Sequence, residues 1–156
     1  MIYYMYIIIY LLYYYIILYI YTMKTKAKKP SRSTLVKKLD TEFSIYIRTR
    51  LSKNGISECI TCGKKDDWKK LQCGHFMSRR HYSTRWNELN CQVQCYACNV
   101  IRYGEQYKFG HYLNKIYGSG CAENLEATSK QTFKLKDFEL IEKIDYYKNI
   151  NKNLKI

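Results

Sequence analysis

Two Cys-x-x-Cys pairs some thirty residues apart, short and irregular strand patterns between them, and apolar stripes at helical spacing on both sides predict an α+β fold for this chain. Its 156 residues suffice for one domain and its tails. The first helix is predicted over residues 34–52. There Leu35, Leu39, Phe43, Ile47 and Leu51 recur every four residues, and Val36 and Tyr46 widen the stripe. Ser33 or Thr34 can cap its start, and Asn54-Gly55 ends it. Short strands follow: one leading into Cys59–Gly63, one around Leu71–Phe76, one over Asn90–Gln94. A helix starts near Asn99 or after Gly104 and runs to Tyr117, where Gly118-Ser119-Gly120 stops it. Residues 122–129 form a short helix and residues 137–150 a longer one, with Phe138, Ile141, Ile144 and Tyr147 on one face. The organisation expected is an apolar segment over 1–22, a basic arm over 23–33, a compact domain over 34–121 and a helical extension over 122–156.

Residues 1–21 contain only Tyr, Ile, Leu and Met. Length and apolarity suit a membrane span, with Lys24, Lys26, Lys28 and Lys29 then on the cytoplasmic side. Against that, nine of these residues are Tyr, which prefers the interface to the bilayer centre, and no small-residue cleavage site follows. Tyr and Ile are also what AT-rich DNA encodes when read through. Met23-Lys24-Thr25-Lys26 looks like an ordinary basic start, so the expectation is translation from Met23 and a cytoplasmic protein. Membrane anchoring is the disfavoured alternative.

Formal net charge is +14. Residues 23–115 hold 20 of the 27 Lys and Arg but 7 of the 13 Asp and Glu, so the excess lies on the part that carries most of the cysteines. Such a basic region implies a polyanionic partner, nucleic acid or an anionic membrane surface.

The seven cysteines are Cys59, Cys62, Cys73, Cys91, Cys95, Cys98 and Cys121. An odd count suits a reduced, intracellular protein better than a disulfide framework. Cys59-Ile60-Thr61-Cys62-Gly63 and Cys95-Tyr96-Ala97-Cys98 supply four thiolates, a closed tetrahedral shell for structural zinc. The segment 57–105 is too short to bury an adequate core alone, and zinc contributes roughly 10–16 kcal/mol of apparent folding free energy to such sites. Cys73 and Cys91 are either buried thiols or replacements for one of the four. Cys121 has no assigned partner.

Between and beside the pairs stand Cys73-Gly74-His75-Phe76-Met77-Ser78-Arg79-Arg80-His81 and Asn90-Cys91-Gln92-Val93-Gln94-Cys95, with Asn99 directly after Cys98. This spacing resembles HNH endonucleases. They place a His on the first strand of a ββα-metal element, an Asn on the second strand, and a His or Asn after the last Cys. Here those places fall on His75, Asn90 and Asn99. The closing Cys98-Asn99 is similar to phage junction resolvases of the endonuclease VII type. The string from Cys59 through Gly104-Glu105-Gln106-Tyr107, with Lys38-Leu39-Asp40 before it and Lys115–Glu126 after it, resembles the phage NinG family, also called Rap, over roughly residues 34–145. The resemblance implies a zinc-stapled ββα-metal core, HNH and treble-clef-like, flanked by helices. It also implies a phage-encoded recombination nuclease that cuts D-loops and four-way junctions in the bacterial host.

The residue types fit that chemistry. His75 can act as general base because imidazole titrates near neutrality. A single Mg²⁺ or Mn²⁺ can stabilise charge on the phosphate and the leaving oxygen, with Asn99 as an oxygen ligand. Asn90 is expected to brace the loop carrying His75 through backbone hydrogen bonds. Arg79, Arg80 and Arg85, with Lys37 and Lys38 on the first helix, are the expected phosphate contacts. Many HNH proteins carry a metal ligand just before the catalytic His, where this chain has Gly74. The candidates for a second ligand are Glu105, then His81, then Glu88; alternatively His75 ligates the metal and His81 is the base. Trp68 and Trp86 belong to the core or stack on opened bases. His111 is read as structural. Two functions compete: a structure-selective DNA endonuclease acting as a homodimer, and a zinc-containing DNA-binding recombination accessory without catalysis. Membrane anchoring through residues 1–21 is the third.

Overall fold

A computed structural model describes residues 2–25 and 29–154, with side chains described for 3–21 and 29–154. Lys26 and Lys28 of the basic arm, and the side chain of Lys24, lie outside the described residues. The chain divides into two compact units, residues 1–31 and 32–156.

The first unit is one helix, α1 (Ile2–Thr25). Its apolar run holds neither Gly nor Pro to break it, and Tyr3–Tyr21 are exposed all round. By length and composition this helix is long and apolar enough to cross a membrane, at a mean hydropathy of 1.7.

The second unit opens with α2 (Arg32–Thr49), which buries Leu35, Val36, Leu39, Phe43 and Ile47. The predicted stripe therefore holds up to Ile47. The helix ends at Thr49, and Leu51 falls on the following turn with 70% of its surface exposed. Strands β1 (Ile56–Glu58) and β2 (Lys65–Asp67) form one antiparallel hairpin. Strands β3 (Gln72–His75) and β4 (Cys91–Gln94) form another, in which His75 pairs with Cys91, Gly74 with Gln92 and Cys73 with Val93. A short helix, α3 (Tyr82–Arg85), interrupts the connection between β3 and β4. After β4 come a π-helical turn over Ala97–Ile101, then α4 (Gln106–Tyr117) and α5 (Cys121–Ser129).

The chain closes with α6 (Asp137–Asn153), whose Leu140 and Tyr147 are buried. The apolar face is thus offset from the predicted one. Leu140, Tyr147 and the partly buried Ile144 join the α2 core, while Phe138 and Ile141 are exposed. Arg32 donates to Asp137 at 2.7 Å and Asn151 to the Glu42 carbonyl at 2.9 Å, fixing α6 along α2. The C-terminal helices share one compact unit with the cysteine-bearing hairpins.

Arg50 ties this helical layer to the second hairpin. Its Nη2 donates to the carbonyls of Glu88 and Cys91 and to Gln92 Oε1, at 3.1 to 3.2 Å. Glu88 in turn accepts from the Tyr46 and Tyr147 hydroxyls at 2.8 and 3.3 Å. Glu88 thereby joins α2, α6 and the segment before β4.

Candidate metal centre and adjoining cleft

The four knuckle cysteines converge. The ligand atoms of Cys59, Cys62, Cys95 and Cys98 all lie within 4.8 Å of one another. Cys62 Sγ stands 3.7 Å from Cys95 Sγ. Sulfurs bound to one tetrahedral ion at about 2.3 Å sit about 3.8 Å apart, so the spacing fits zinc. The first pair owes its shape to Gly63, whose φ of 73° lets its N–H return to the Cys59 carbonyl at 2.8 Å. The Ile60 N–H donates to the Val93 carbonyl at 3.0 Å, seating that turn against β4. Burial pushes the Cys59 thiol up, but the Thr61 hydroxyl and backbone N–H groups outweigh it and hold the thiol at about 6. Burial and the neighbouring sulfurs push Cys98 up to about 12. A divalent cation among the four stabilises every thiolate at once.

Beside this centre opens a cleft of about 830 Å³. His75 lines it from the end of β3, Asn99 and Val100 from the π-helical turn, Asp40, Ser44 and Arg48 from α2, and Ser78 and Arg79 from the loop after β3. A π turn is rare and often marks a functional position. Here it carries Asn99 from the second knuckle to the cleft wall, where its Nδ2 donates to Gln72 Oε1 at 2.8 Å. With the amide nitrogen so committed, the amide oxygen remains as acceptor or ligand.

His75 Nε2 lies 3.2 Å from the Arg85 carbonyl. Burial pushes its pKa down, the Arg79 charge pushes it further, and the Arg85 and Cys73 carbonyls and Asp40 only partly oppose them; it falls to about 4. The imidazole is therefore neutral at physiological pH, and the near-neutral titration expected of it does not hold here: burial leaves a free lone pair on a weaker base. Asn90 is fully buried and does brace the loop that follows. Its Oδ1 accepts from the Met77 N–H at 2.7 Å, and its Nδ2 donates to the Met77 and Thr84 carbonyls at 3.0 Å.

The structure draws together His75, Asn99 and Arg79, but not every expected residue. Arg85, expected on phosphate, is turned inward. Its Nη2 and Nε bind the Asp40 carboxylate at 2.6 and 3.0 Å, and its guanidinium stacks over Tyr82 and Trp86. Glu105, the first choice for a second ligand, is not among the residues lining the cleft. It sits at the head of α4 with φ of 49° and pairs with Arg102 and Lys108. His81 stands at the start of α3, also outside the cleft lining, and Glu88 belongs to the helix-binding network described above. Trp86 is a core residue whose Nε1 donates to Asp40 at 2.9 Å, and Trp68 carries the Arg48 guanidinium over its ring. His111 is exposed on α4 rather than packed in the core. Arg80, Lys37 and Lys38 are exposed, and Lys37 lies one helical turn before Asp40, in line with the cleft wall.

Gly74 has a steric explanation. A β-carbon there would stand 2.7 and 2.9 Å from Gln94 Cδ and Cγ, so no ligand-bearing side chain fits unless Gln94 moves. Gln94 is itself buried and held by a bond from its Nε2 to the Gly104 carbonyl at 2.8 Å. Sequence reasoning missed Asp40 and Gln72 as cleft residues. For Asp40 a signal existed: it shares the polar side of α2 with Lys37 and Ser44 and is the acidic member of a basic row.

Fold and site together define a mixed chain: helices around two small antiparallel hairpins, with four cysteines that can hold a structural ion such as zinc. The family described as bacteriophage lambda NinG protein matches residues 20–156, and the chain belongs to that family. Residues 1–19 lie outside the match. No curated protein and no solved structure matches the chain.

Proposed function

We propose that this protein is a metal-dependent, HNH-type endonuclease that hydrolyses phosphodiester bonds in branched recombination intermediates such as four-way junctions and D-loops. The observation that carries the reading is the meeting of His75, Asn99 and Arg79 in one cleft beside the four-cysteine centre. Beside the Arg48 guanidinium, the cleft's other polar walls include the hard oxygen donors of Asp40, Ser44, Gln72 and Ser78, which suit Mg²⁺ or Mn²⁺. Asn99 and Asp40 are the residues that would hold that ion, although Asp40 already answers Arg85. When bound, the ion supplies positive charge to the scissile phosphate and the leaving oxygen.

The chain's own groups do the rest. A carbonyl only accepts, so the His75 nitrogen facing Arg85 carries the ring hydrogen and the other nitrogen carries the lone pair. That lone pair takes a proton from the attacking water, whose oxygen bonds to phosphorus as the bond to the leaving oxygen breaks. Arg79 holds a non-bridging phosphate oxygen. Lys37, Lys38 and Arg80 extend positive charge along the duplex arms. Asn90 keeps the loop carrying Arg79 in register without touching substrate. Cutting two strands of a symmetric junction calls for two sites, so the active species is a homodimer working in the host cytoplasm. Light scattering of the purified protein tests the dimer.

Gly74 favours a second reading, a zinc-stapled DNA-binding accessory without catalysis, since the usual ligand place before the His is closed by Gln94. Incubation of a four-way junction with Mg²⁺ or Mn²⁺ and either wild type or His75→Ala separates the two. Cutting by wild type alone is the expected result. No cutting by either protein favours the accessory, and equal cutting by both removes His75 from the mechanism.

A further inference from the structure

We propose that Cys73, His75 and Cys91 form a second metal site, selective for a soft divalent cation such as zinc and open on its fourth side to the cleft. The β3–β4 register sets His75 directly opposite Cys91, and Cys73, two residues before His75, shares its face of the strand. The two sulfurs and an imidazole nitrogen lie within 4.8 Å of one another. Ligands on one tetrahedral zinc sit roughly 3.4–3.8 Å apart, so side-chain movements of under about 1 Å close the shell. Two of the three already converge: His75 Nε2 and Cys91 Sγ rest against the same Arg85 carbonyl, at 3.2 and 3.5 Å. Cys91 is fully buried against the α2 core, while Cys73 and His75 on the same face of the hairpin line the cleft.

This arrangement differs in kind from the knuckle. Four thiolates close a structural site, whereas three protein ligands leave one position for water or substrate. It also differs from the oxygen donors across the same cleft. Two sulfurs and an imidazole select zinc over magnesium, so the two cations sort by donor type within one cavity. Binding exchanges the Cys73 and Cys91 thiol protons for the metal, and both protons pass to solvent. The consequence for chemistry, which rests on the nuclease reading, is that zinc takes the His75 nitrogen that faces Arg85, and the ring hydrogen moves to the other nitrogen, whose lone pair was the base. It thereby withdraws the base from magnesium-dependent cutting.

Metal analysis and cobalt titration test the site without reference to activity. Reduced wild-type protein should hold two zinc ions per chain at saturating zinc, the second lost on dialysis, and Cys73→Ser and Cys91→Ala one each. Cobalt should enter wild type in two steps, each with a sulfur-to-cobalt absorption band, and Cys73→Ser in one step. One metal per chain in wild type at saturating zinc and cobalt overturns the proposal, as does an unchanged stoichiometry in a folded Cys73→Ser protein. Cys73 is the less buried thiol, so its variant keeps the test interpretable if Cys91→Ala fails to fold. In the cleavage assay, added zinc should slow wild type at least about tenfold and leave the Cys73→Ser rate, with and without zinc, in a ratio near one. Two metals bound with no zinc inhibition of a cutting enzyme keeps the site and overturns its blocking role. Two metals bound with no cutting at all keeps the site and overturns the nuclease reading.

Discussion

The two ends of the second hairpin make different use of the same kind of strand. At one end β4 runs into Cys95, and four sulfurs gather where a single ion can satisfy all of them. At the other end β4 begins opposite His75, a neutral imidazole on the wall of an open cleft that also takes in Asp40 and Arg79 and reaches back to the Gln72 and Asn99 amides beside the knuckle. The first end is chemically uniform and closed, which suits stability. The second is mixed and open, which suits a substrate. Only four residues of β4 separate them, so the closed end holds the open end in shape at very short range.

If that division is right, removal of zinc should have the largest effect of any change. The roughly 10–16 kcal/mol such sites contribute matches or exceeds the usual 5–15 kcal/mol of domain stability. A strong chelator, or Cys95→Ser, should unfold residues 32–156 by circular dichroism. His75→Ala should do the reverse: cutting falls about 10²–10⁴-fold while junction affinity and melting temperature stay close to wild type. A large drop in melting temperature for His75→Ala would blur the division between the two ends. Asn90→Ala should damage both ends at once. It strands the Met77 N–H and the Met77 and Thr84 carbonyls, at about 1–3 kcal/mol for each group left buried and unpaired.

Gly74→Ala probes the wall between the ends and should cost about 1–3 kcal/mol by overpacking against Gln94. Adding Gln94→Ala should return part of that loss in a double-mutant cycle. The smallest effects belong to the outer charges. Arg79→Ala and Lys37→Ala should each flatten the salt dependence of junction binding by about one unit of slope. Arg85→Ala should instead lower stability with little change in slope, because its guanidinium answers Asp40.

The knuckles were legible because each is a contiguous four-residue motif whose purpose follows from its donor atoms. The α2 stripe was legible for a similar reason, since its period survives from Leu35 to Ile47. The face of α6 was misread because two stripes fit a helix equally well. Ile144 and Tyr147 are common to both, and either Phe138–Ile141 or Leu140 extends them at helical spacing; only the surface of α2 chooses between them. Strand β2, Lys65–Asp67, carries no apolar residue to announce it and exists through backbone pairing with β1. Arg85 could not be placed from local sequence, because the carboxylate that captures it stands 45 positions earlier. Glu105 lies outside the cleft lining for a local reason: a left-handed turn at Gly104 and Glu105 starts α4, and its carboxylate pairs with Arg102 and Lys108.

The pairing of α2 with α6 has a consequence for how the protein is made. Every knuckle cysteine has been synthesised by position 98, so the metal-binding end can assemble while the chain is still growing. The apolar face of α2 must wait for Leu140 and Tyr147, about a hundred residues downstream of its own start. At about 5–20 residues per second that is a delay of some seconds. During it Leu35, Leu39 and Phe43 lack part of their final cover, although Asp40 can already hold α2 to the segment before β4 through Arg85. The end that can hold a metal is thus complete before α2 has its cover, and a chain truncated before Asp137 should still take up zinc while exposing the apolar face of α2.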